Sequence, residues 1–122
     1  MPSRQTVDAF IALVEAGDYI QALERYYAPG ATMQENQSPP RVGLDAHIAS
    51  ERRVMATFKP RTRRVERSLV DGDLVMINWV FVFTAANGED FVMDELALQR
   101  WDGDRIVAEQ FYYDPAQAKF GG

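Results

Sequence analysis

The chain has 122 residues, of which 47% are hydrophobic and 25% charged, and its net charge is −5. This length suits residues 1–122 forming a single domain with one core. The absence of cysteine excludes disulfides, thiolate metal sites and cysteine nucleophiles. The negative charge argues against a nucleic-acid partner, which requires a basic surface.

The most apolar run, 74–83, is too short for a membrane helix. Residues 1–4 lead directly into an amphipathic pattern instead of a signal peptide. We therefore expect a cytoplasmic protein without a membrane partner.

Two helices are predicted in the first 30 residues. Apolar residues recur at helical spacing through 3–16, and Gly17 can supply the left-handed residue that ends such a helix. Asp18 and Gln21 have capping-box spacing at the start of a second, shorter helix, which Pro29 and Gly30 should stop. The pair should form a helical hairpin.

The middle of the chain predicts a short strand, a loop and a third helix. Alternation over 31–36 indicates the strand, and the two prolines in 37–43 indicate a loop. Apolar residues at helical spacing predict a helix over 44–58, which Lys59-Pro60 should end.

The second half of the chain predicts an antiparallel meander, because each pair of neighbouring strands is joined by an Asp-Gly or Asn-Gly turn. The strands are expected at 62–70, 74–84, 91–101 and 105–114. The C-terminal residues 117–122 are expected to fray.

Glu95 and Glu109 are the most informative residues of this meander, because their neighbours of the same strand parity are apolar or aromatic. A charged carboxylate left unpaired in an apolar core is strongly unfavourable. The two glutamates therefore predict an enclosed wet cavity, or partners such as tyrosine hydroxyls and Gln99 that satisfy them within the cavity wall.

Whether the two glutamates share a face depends on the turn at 102–104. If this turn is a three-residue loop, Ala97 lies opposite Glu109 and both carboxylates point inward. If it is a two-residue turn, Leu96 lies opposite Glu109 and the carboxylates point to opposite faces. The sequence leaves both registers open.

The strand 74–84 is apolar on both parities. One face of this strand should contact the core. The second face would then be covered by another subunit, which predicts a homodimer through the outer face of the sheet.

The order of these elements resembles the NTF2-like superfamily, especially its SnoaL-like and ketosteroid-isomerase-like branches. The runs that carry the resemblance are Leu13–Asp18, Tyr27–Asn36 and Trp101–Ile106, followed by Tyr113-Asp114. The resemblance implies an α+β, cone-shaped roll in which a helical hairpin and a third helix pack on a curved, mainly antiparallel sheet enclosing a pocket. It also implies a homodimer.

The resemblance to ketosteroid isomerases places their general base at Glu35 and their protonated hydrogen-bond donor near Glu95. Their oxyanion tyrosine falls on Phe10, which has no hydroxyl. This departure argues against steroid-type isomerisation.

The resemblance to polyketide cyclases places their acid/base residue near Glu109 or Phe111, of which only Glu109 can titrate. Limonene-type epoxide hydrolases use an aspartate, an arginine and a second aspartate, and this set cannot be assembled on the inward face of these strands. Arg100 and Asp94 are present, but strand alternation places them on the face opposite to Glu95.

Several carboxylates around one apolar cavity would raise each other's pKa and could supply a general acid or base. His47 lies one helical turn from Glu51 and is either a hydrogen-bonded core residue or a catalytic group. Because it is the single histidine of the chain, a metal site with several histidine ligands is excluded. The catalytic candidates are Glu35, Glu95, Glu109 and His47. The predicted cavity walls are Phe10, Tyr26, Met33, Glu51, Met55, Trp79, Phe81, Ala97, Gln99, Phe111 and Tyr113.

The sequence contains no phosphate loop, dinucleotide fingerprint or serine nucleophile elbow, so no cofactor is expected. Two hypotheses follow. The first is a SnoaL-like protein whose pocket binds a small, largely apolar organic molecule with a polar group, with or without metal-free acid/base catalysis. The second is a non-catalytic, dimeric binding or interaction module of the same fold.

Overall fold

The computed structural model describes residues 1–120 and contains three α-helices over this range: α1 (Arg4–Glu15), α2 (Tyr19–Tyr26) and α3 (Leu44–Phe58). Ser3 caps α1 by accepting a hydrogen bond from the Thr6 amide at 3.0 Å. Gly17 adopts φ +84° between α1 and α2, as predicted. The predicted capping box is wrong, because the Asp18 side chain makes no cap hydrogen bond.

Six strands form one mixed sheet in the order β2-β1-β6-β5-β4-β3. The strands are β1 (Tyr27–Glu35), β2 (Arg41–Val42), β3 (Arg61–Asp71), β4 (Leu74–Thr84), β5 (Asp90–Asp102) and β6 (Arg105–Tyr112). The meander β3 to β6 is antiparallel as predicted, whereas β1 joins β6 in parallel. The helical hairpin, third helix and largely antiparallel sheet define an α+β fold of the NTF2-like type.

Two predictions for the first strands are wrong. Strand β1 begins at Tyr27 instead of Ala31, and a register shift between Tyr27 and Thr32 accommodates Pro29-Gly30 inside the strand. The predicted loop 37–43 contains β2, which pairs with β1 through Thr32–Val42 and Met33–Arg41.

Neither predicted register of the last hairpin is right. Arg105 lies opposite Asp102, which makes a two-residue turn, but the register then shifts between Arg100 and Trp101. The shift adds one residue to β6, so Glu109 lies opposite Gln99 and not opposite Ala97 or Leu96. The extra residue restores the parity, and Glu109 shares the inner face with Glu95.

The core lies between this inner face and the helices, and its buried members include Val7, Phe10, Val75, Ile77 and Trp101. At the far end of β4 and β5 a second buried cluster contains Phe83, Phe91 and Met93.

The C-terminal segment packs against the second cluster. A 3-10 helix spans Pro115–Gln117, and the Phe120 ring lies 4.9 to 5.2 Å from the ring centroids of Phe58, Phe83 and Phe91. Fraying predicted for 117–122 is therefore wrong up to Phe120, and residues 121–122 lie outside the described range. Within residues 1–120, no helix has both the length and the apolar character needed to cross a bilayer.

Candidate functional site

A cavity of about 370 Å³ lies between the helices and the inner face of the sheet. Its apolar lining is supplied by α1, α2, α3, four strands and the C-terminal segment, and comprises Phe10, Val14, Tyr19, Ala22, Leu23, Met33, Val54, Pro60, Trp79, Phe81, Phe83, Met93, Phe111 and Phe120. Its polar lining comprises Tyr27, Glu35, Arg41, His47, Ser50, Glu51, Glu95, Glu109 and Tyr113.

Strand alternation places the inward carboxylates beside aromatic residues. Along β4, Trp79 and Phe81 point inward, and Glu95 of β5 lies directly opposite Trp79. Along β6, Glu109 lies beside Met33 of β1 in the parallel register. Three strands therefore contribute to one mixed acidic and aromatic wall.

Glu109 is the most buried carboxylate of the cavity, with 3% of its surface exposed. The Tyr27 hydroxyl donates to Oε1, and the Gln99 amide donates to Oε2 at 2.6 Å. Burial raises the pKa of Glu109 to about 7, even though both donors favour the charged form. Glu109 is thus held in one orientation with a pKa suited to gaining or losing a proton near neutral pH.

Trp101, which does not line the cavity, fixes the orientation of the Gln99 amide. Its indole N–H donates to Gln99 Oε1 at 2.9 Å, so the Gln99 amide nitrogen is the end that faces Glu109. All three side chains are buried. The Glu109 carboxyl therefore has hydrogen-bond partners within the cavity wall, which is one of the two sequence-based expectations. It also lines the cavity.

Glu95 differs from Glu109 because its carboxyl receives no hydrogen bond from a side chain or backbone group within residues 1–120. Burial, followed by the charges of Glu35 and Glu109, raises its pKa well above the ordinary glutamate value. These effects favour the protonated form, which can donate a hydrogen bond into the cavity.

Glu35 and Glu51 extend the acidic lining toward β1 and α3. Desolvation raises the pKa of both carboxyls, and the nearby Arg41 charge partly offsets this. Glu51 is partly buried, whereas Glu35, the last residue of β1, is exposed to solvent on one side. Tyr113 interacts with Glu35, and burial together with the Glu35 charge raises the pKa of its phenol to about 12. The Tyr113 hydroxyl is therefore a donor at physiological pH.

His47 is buried and both of its ring nitrogens are engaged. Nε2 lies 2.7 Å from the Ala31 carbonyl, and Arg41 Nε–H donates to Nδ1 at 2.9 Å. Because a carbonyl only accepts, the proton is on Nε2 and the ring is neutral. Burial lowers the pKa of His47 in agreement. Of the two roles considered from sequence, this geometry favours the hydrogen-bonded core residue, which positions Arg41.

The structure brings the four catalytic candidates, Glu35, Glu95, Glu109 and His47, to one cavity. The predicted wall residues that line it are Phe10, Met33, Glu51, Trp79, Phe81, Phe111 and Tyr113. The predicted wall residues that do not line it are Tyr26, Met55, Ala97 and Gln99. Tyr26 instead packs edge-on against Phe10 and Trp101, and Gln99 lies behind Glu109.

Tyr27 and Arg41 are the polar lining residues whose contacts could not be predicted. Tyr27 was assigned to the end of the second helix, whereas it begins β1, and Arg41 was assigned to a loop. Both contacts depend on pairings between distant segments, for which the local sequence contains no signal.

Among residues 1–120, no group of three or more His, Asp or Glu side chains has the proximity needed to hold a metal ion. The arrangement is instead suited to hydrogen bonding and proton transfer.

The fold and this cavity define an NTF2-like protein, and comparison with known proteins specifies the family. The sequence profile of the SnoaL-like domain matches residues 7–109. The chain therefore belongs to the SnoaL-like domain family. No curated protein sequence matches it significantly.

Solved structures of similar proteins support this assignment. A Mesorhizobium loti protein provisionally assigned as a SnoaL-like polyketide cyclase is 26% identical, with a TM-score of 0.77 over 89% of this chain and 97% of that one. An NTF2-like protein of unknown function from Burkholderia pseudomallei is 19% identical, with a TM-score of 0.78 over 92% and 90%. A ketosteroid isomerase-like fold from Catenulispora acidiphila, in complex with trimethylamine, is 21% identical, with a TM-score of 0.78 over 98% and 94%.

Proposed function

We propose that this protein is an enzyme that binds a small, largely apolar organic molecule in the cavity and transfers a proton through Glu109. The observation that carries the proposal is the geometry of Glu109. It is buried on the cavity wall, is oriented by Tyr27 and Gln99, and has a pKa of about 7. A group with this pKa can act as base and then as acid in one turnover.

The remaining polar groups support proton transfer at a carbon next to a carbonyl, or at a phenol. When Glu109 takes a proton from such a carbon, negative charge develops on the ligand oxygen. Glu95 in its protonated form and the Tyr113 hydroxyl are donors that can stabilise this charge. Glu35 is the second candidate base; while the Tyr113 hydroxyl donates to Glu35, Glu95 is the donor left for the ligand oxygen.

Several considerations agree with this reaction class. The step uses only side-chain acids and bases, so the proposal includes no cofactor or metal. The aromatic walls suit an apolar ligand, and the cavity volume of about 370 Å³ falls within the range of small-molecule sites. The polyketide cyclase assignment of the M. loti protein also agrees with an organic substrate. We expect the protein to act in the cytoplasm.

A thermal-shift screen tests binding. Apolar ketones, phenols and epoxides should raise the melting temperature of the wild type, because a ligand that binds only the native state stabilises it. Glu109→Gln preserves size and polarity, and serves as the matched variant for separating binding from proton transfer. If no compound of these classes stabilises the wild type, the proposal is overturned.

A second candidate function is a non-catalytic dimeric module, and the outer face of the sheet favours it. Leu69, Leu74, Leu98 and Tyr112 lie on this face and are 59%, 47%, 38% and 37% exposed. Exposed apolar residues gathered on one face are typical of a protein interface. We propose that a second copy of the chain covers them, which is compatible with either function.

A further inference from the structure

Trp79 occupies a special position in the cavity wall. Its side chain lies on β4 opposite Glu95, stacks on Phe81 with ring centroids 5.5 Å apart, and has only 2% of its surface exposed. It nevertheless lines the cavity. The small accessible part of Trp79 therefore faces the cavity.

The indole N–H of Trp79 is the feature that the proposed proton transfer does not use. Within residues 1–120, this N–H makes no hydrogen bond, whereas the other indole, Trp101, donates to Gln99. In the same range, no fully buried side-chain nitrogen or oxygen is without a partner. The Trp79 N–H must therefore belong to the accessible part of the side chain, so it opens on the cavity.

We infer that the Trp79 N–H and the Glu95 carboxyl together bind one oxygen atom of the ligand, which for the proposed proton transfer is the oxygen of a carbonyl or phenol compound. The inference rests on the proposed function and specifies its substrate class. An indole N–H is a donor only, so it recognises an acceptor. Glu95 is paired with Trp79 in the β4–β5 register and lines the same cavity, and its carboxyl makes no competing hydrogen bond within residues 1–120.

Trp79 and Glu95 would together favour ligands that carry an acceptor oxygen over ligands that have none. A ligand without an acceptor atom would leave the Trp79 N–H desolvated and unpaired, which is costly in an enclosed apolar site. A ligand oxygen would satisfy both donors and would gain their support when negative charge develops on it. The ligand carbon next to the carbonyl group, from which the proton is taken, would then lie toward Glu109, whose charge also contributes to the raised pKa of Glu95.

A pair of matched probes tests the inference. 2-Naphthol presents an oxygen, whereas 2-methylnaphthalene has nearly the same shape and no acceptor. The two tryptophans give two indole N–H signals in a ¹H–¹⁵N spectrum of the wild type. 2-Naphthol should shift the Trp79 indole proton downfield and slow its exchange with water, while the Trp101 signal stays in place as an internal control.

Variants test the same point by affinity. Trp79→Phe should weaken 2-naphthol binding about five- to tenfold, the effect of one neutral hydrogen bond. The same variant should leave 2-methylnaphthalene binding unchanged or strengthen it, because phenylalanine has no N–H that this ligand would leave unpaired. Glu95→Gln retains a donor and should bind 2-naphthol better than Glu95→Leu.

Each outcome decides the inference. It is overturned if 2-naphthol binds the wild type without moving the Trp79 indole signal, or if Trp79→Phe weakens both probes equally; the proposed function survives in either case. If neither probe nor any other apolar carbonyl or phenol compound binds the wild type, the inference is overturned, and if epoxides do not bind either, the proposed function is overturned with it. The ¹H–¹⁵N experiment uses only the wild type, so it tests the inference even if a variant fails to fold.

Discussion

Trp101 determines which end of the Gln99 amide faces Glu109. Its indole donates to Gln99 Oε1 at 2.9 Å, which leaves the amide nitrogen to donate to Glu109 Oε2 at 2.6 Å. A side chain that lies outside the cavity thus stabilises the charged form of the carboxyl that we propose as the acid and base.

Removing the Gln99 donor should raise the pKa of Glu109 further. In Gln99→Leu the carboxylate loses one of its two hydrogen bonds, and a bond to a charged group is strong enough to move the pKa by about one pH unit or more. The measurement is a ¹³C-detected pH titration of the Glu109 carboxyl. Gln110→Leu is the matched control, because Gln110 donates to the Asn36 carbonyl instead. An unchanged Glu109 titration in Gln99→Leu would contradict this network.

Stability should fall as pH rises from about 5 to 7.5. The pKa of Glu109 is about 7 in the folded chain and 4.5 unfolded, so the folded state binds more protons in this window. Its contribution to the free energy of unfolding should decrease by about 2 kcal/mol across this range. The raised pKa values of Glu35, Glu51 and Glu95 act in the same direction.

Chemical denaturation at several pH values measures this trend. Glu109→Gln should flatten the pH dependence and should be more stable than the wild type at pH 8, because the neutral amide carries no desolvation cost. His47 acts oppositely, since its lowered pKa removes stability as pH falls below the unfolded value of about 6.5. A wild-type curve that rises steadily from pH 5 to 8 would be inconsistent with a protonated Glu109.

His47 should be neutral with its proton on Nε2. The Ala31 carbonyl accepts from Nε2, and Arg41 donates to Nδ1. Because the chain has one histidine, a long-range ¹H–¹⁵N spectrum at pH 6.5 contains one imidazole and needs no assignment. The expected pattern is a protonated Nε2 and an unprotonated Nδ1. Two protonated nitrogens at this pH would show that the ring is charged and does not hold Arg41 in this way.

The outer face of the sheet should mediate dimerisation. Leu98→Glu places a charge among the exposed apolar residues of this face and should produce a monomer in sedimentation experiments at micromolar concentration. Val42→Glu is the control for an added charge, because Val42 is 64% exposed on the same face but lies on the edge strand β2, three strands away from Leu98 on β5. A wild type that is already monomeric at high concentration would contradict the proposed interface.

The sequence predicted the elements whose boundaries are set by local chemistry. Helix α3 and strand β4 have the predicted bounds, 44–58 and 74–84. Lys59-Pro60 ends the helix, an Asp-Gly turn precedes the strand and an Asn-Gly turn follows it. The inward position of Glu95 also followed from strand alternation.

Features that depend on pairing between distant segments could not be predicted. The register shift beside Arg100 decides the partner of Glu109, and no residue in the turn signals it. The same holds for Tyr27, which meets Glu109 only because β1 lies beside β6, and for Arg41, which meets His47 only once β2 has paired with β1.

Deuterium exchange into a bound ketone tests the central claim most directly. A ketone that stabilises the wild type is incubated with the protein in D₂O, and incorporation at the carbon next to the carbonyl is followed by NMR. We expect exchange that increases with pH through about 7, as Glu109 ionises, and that falls to the uncatalysed rate in Glu109→Gln while binding is retained. Equal exchange in the wild type and in a folded, ligand-binding Glu109→Gln would contradict the assignment of Glu109 as the proton-transfer group.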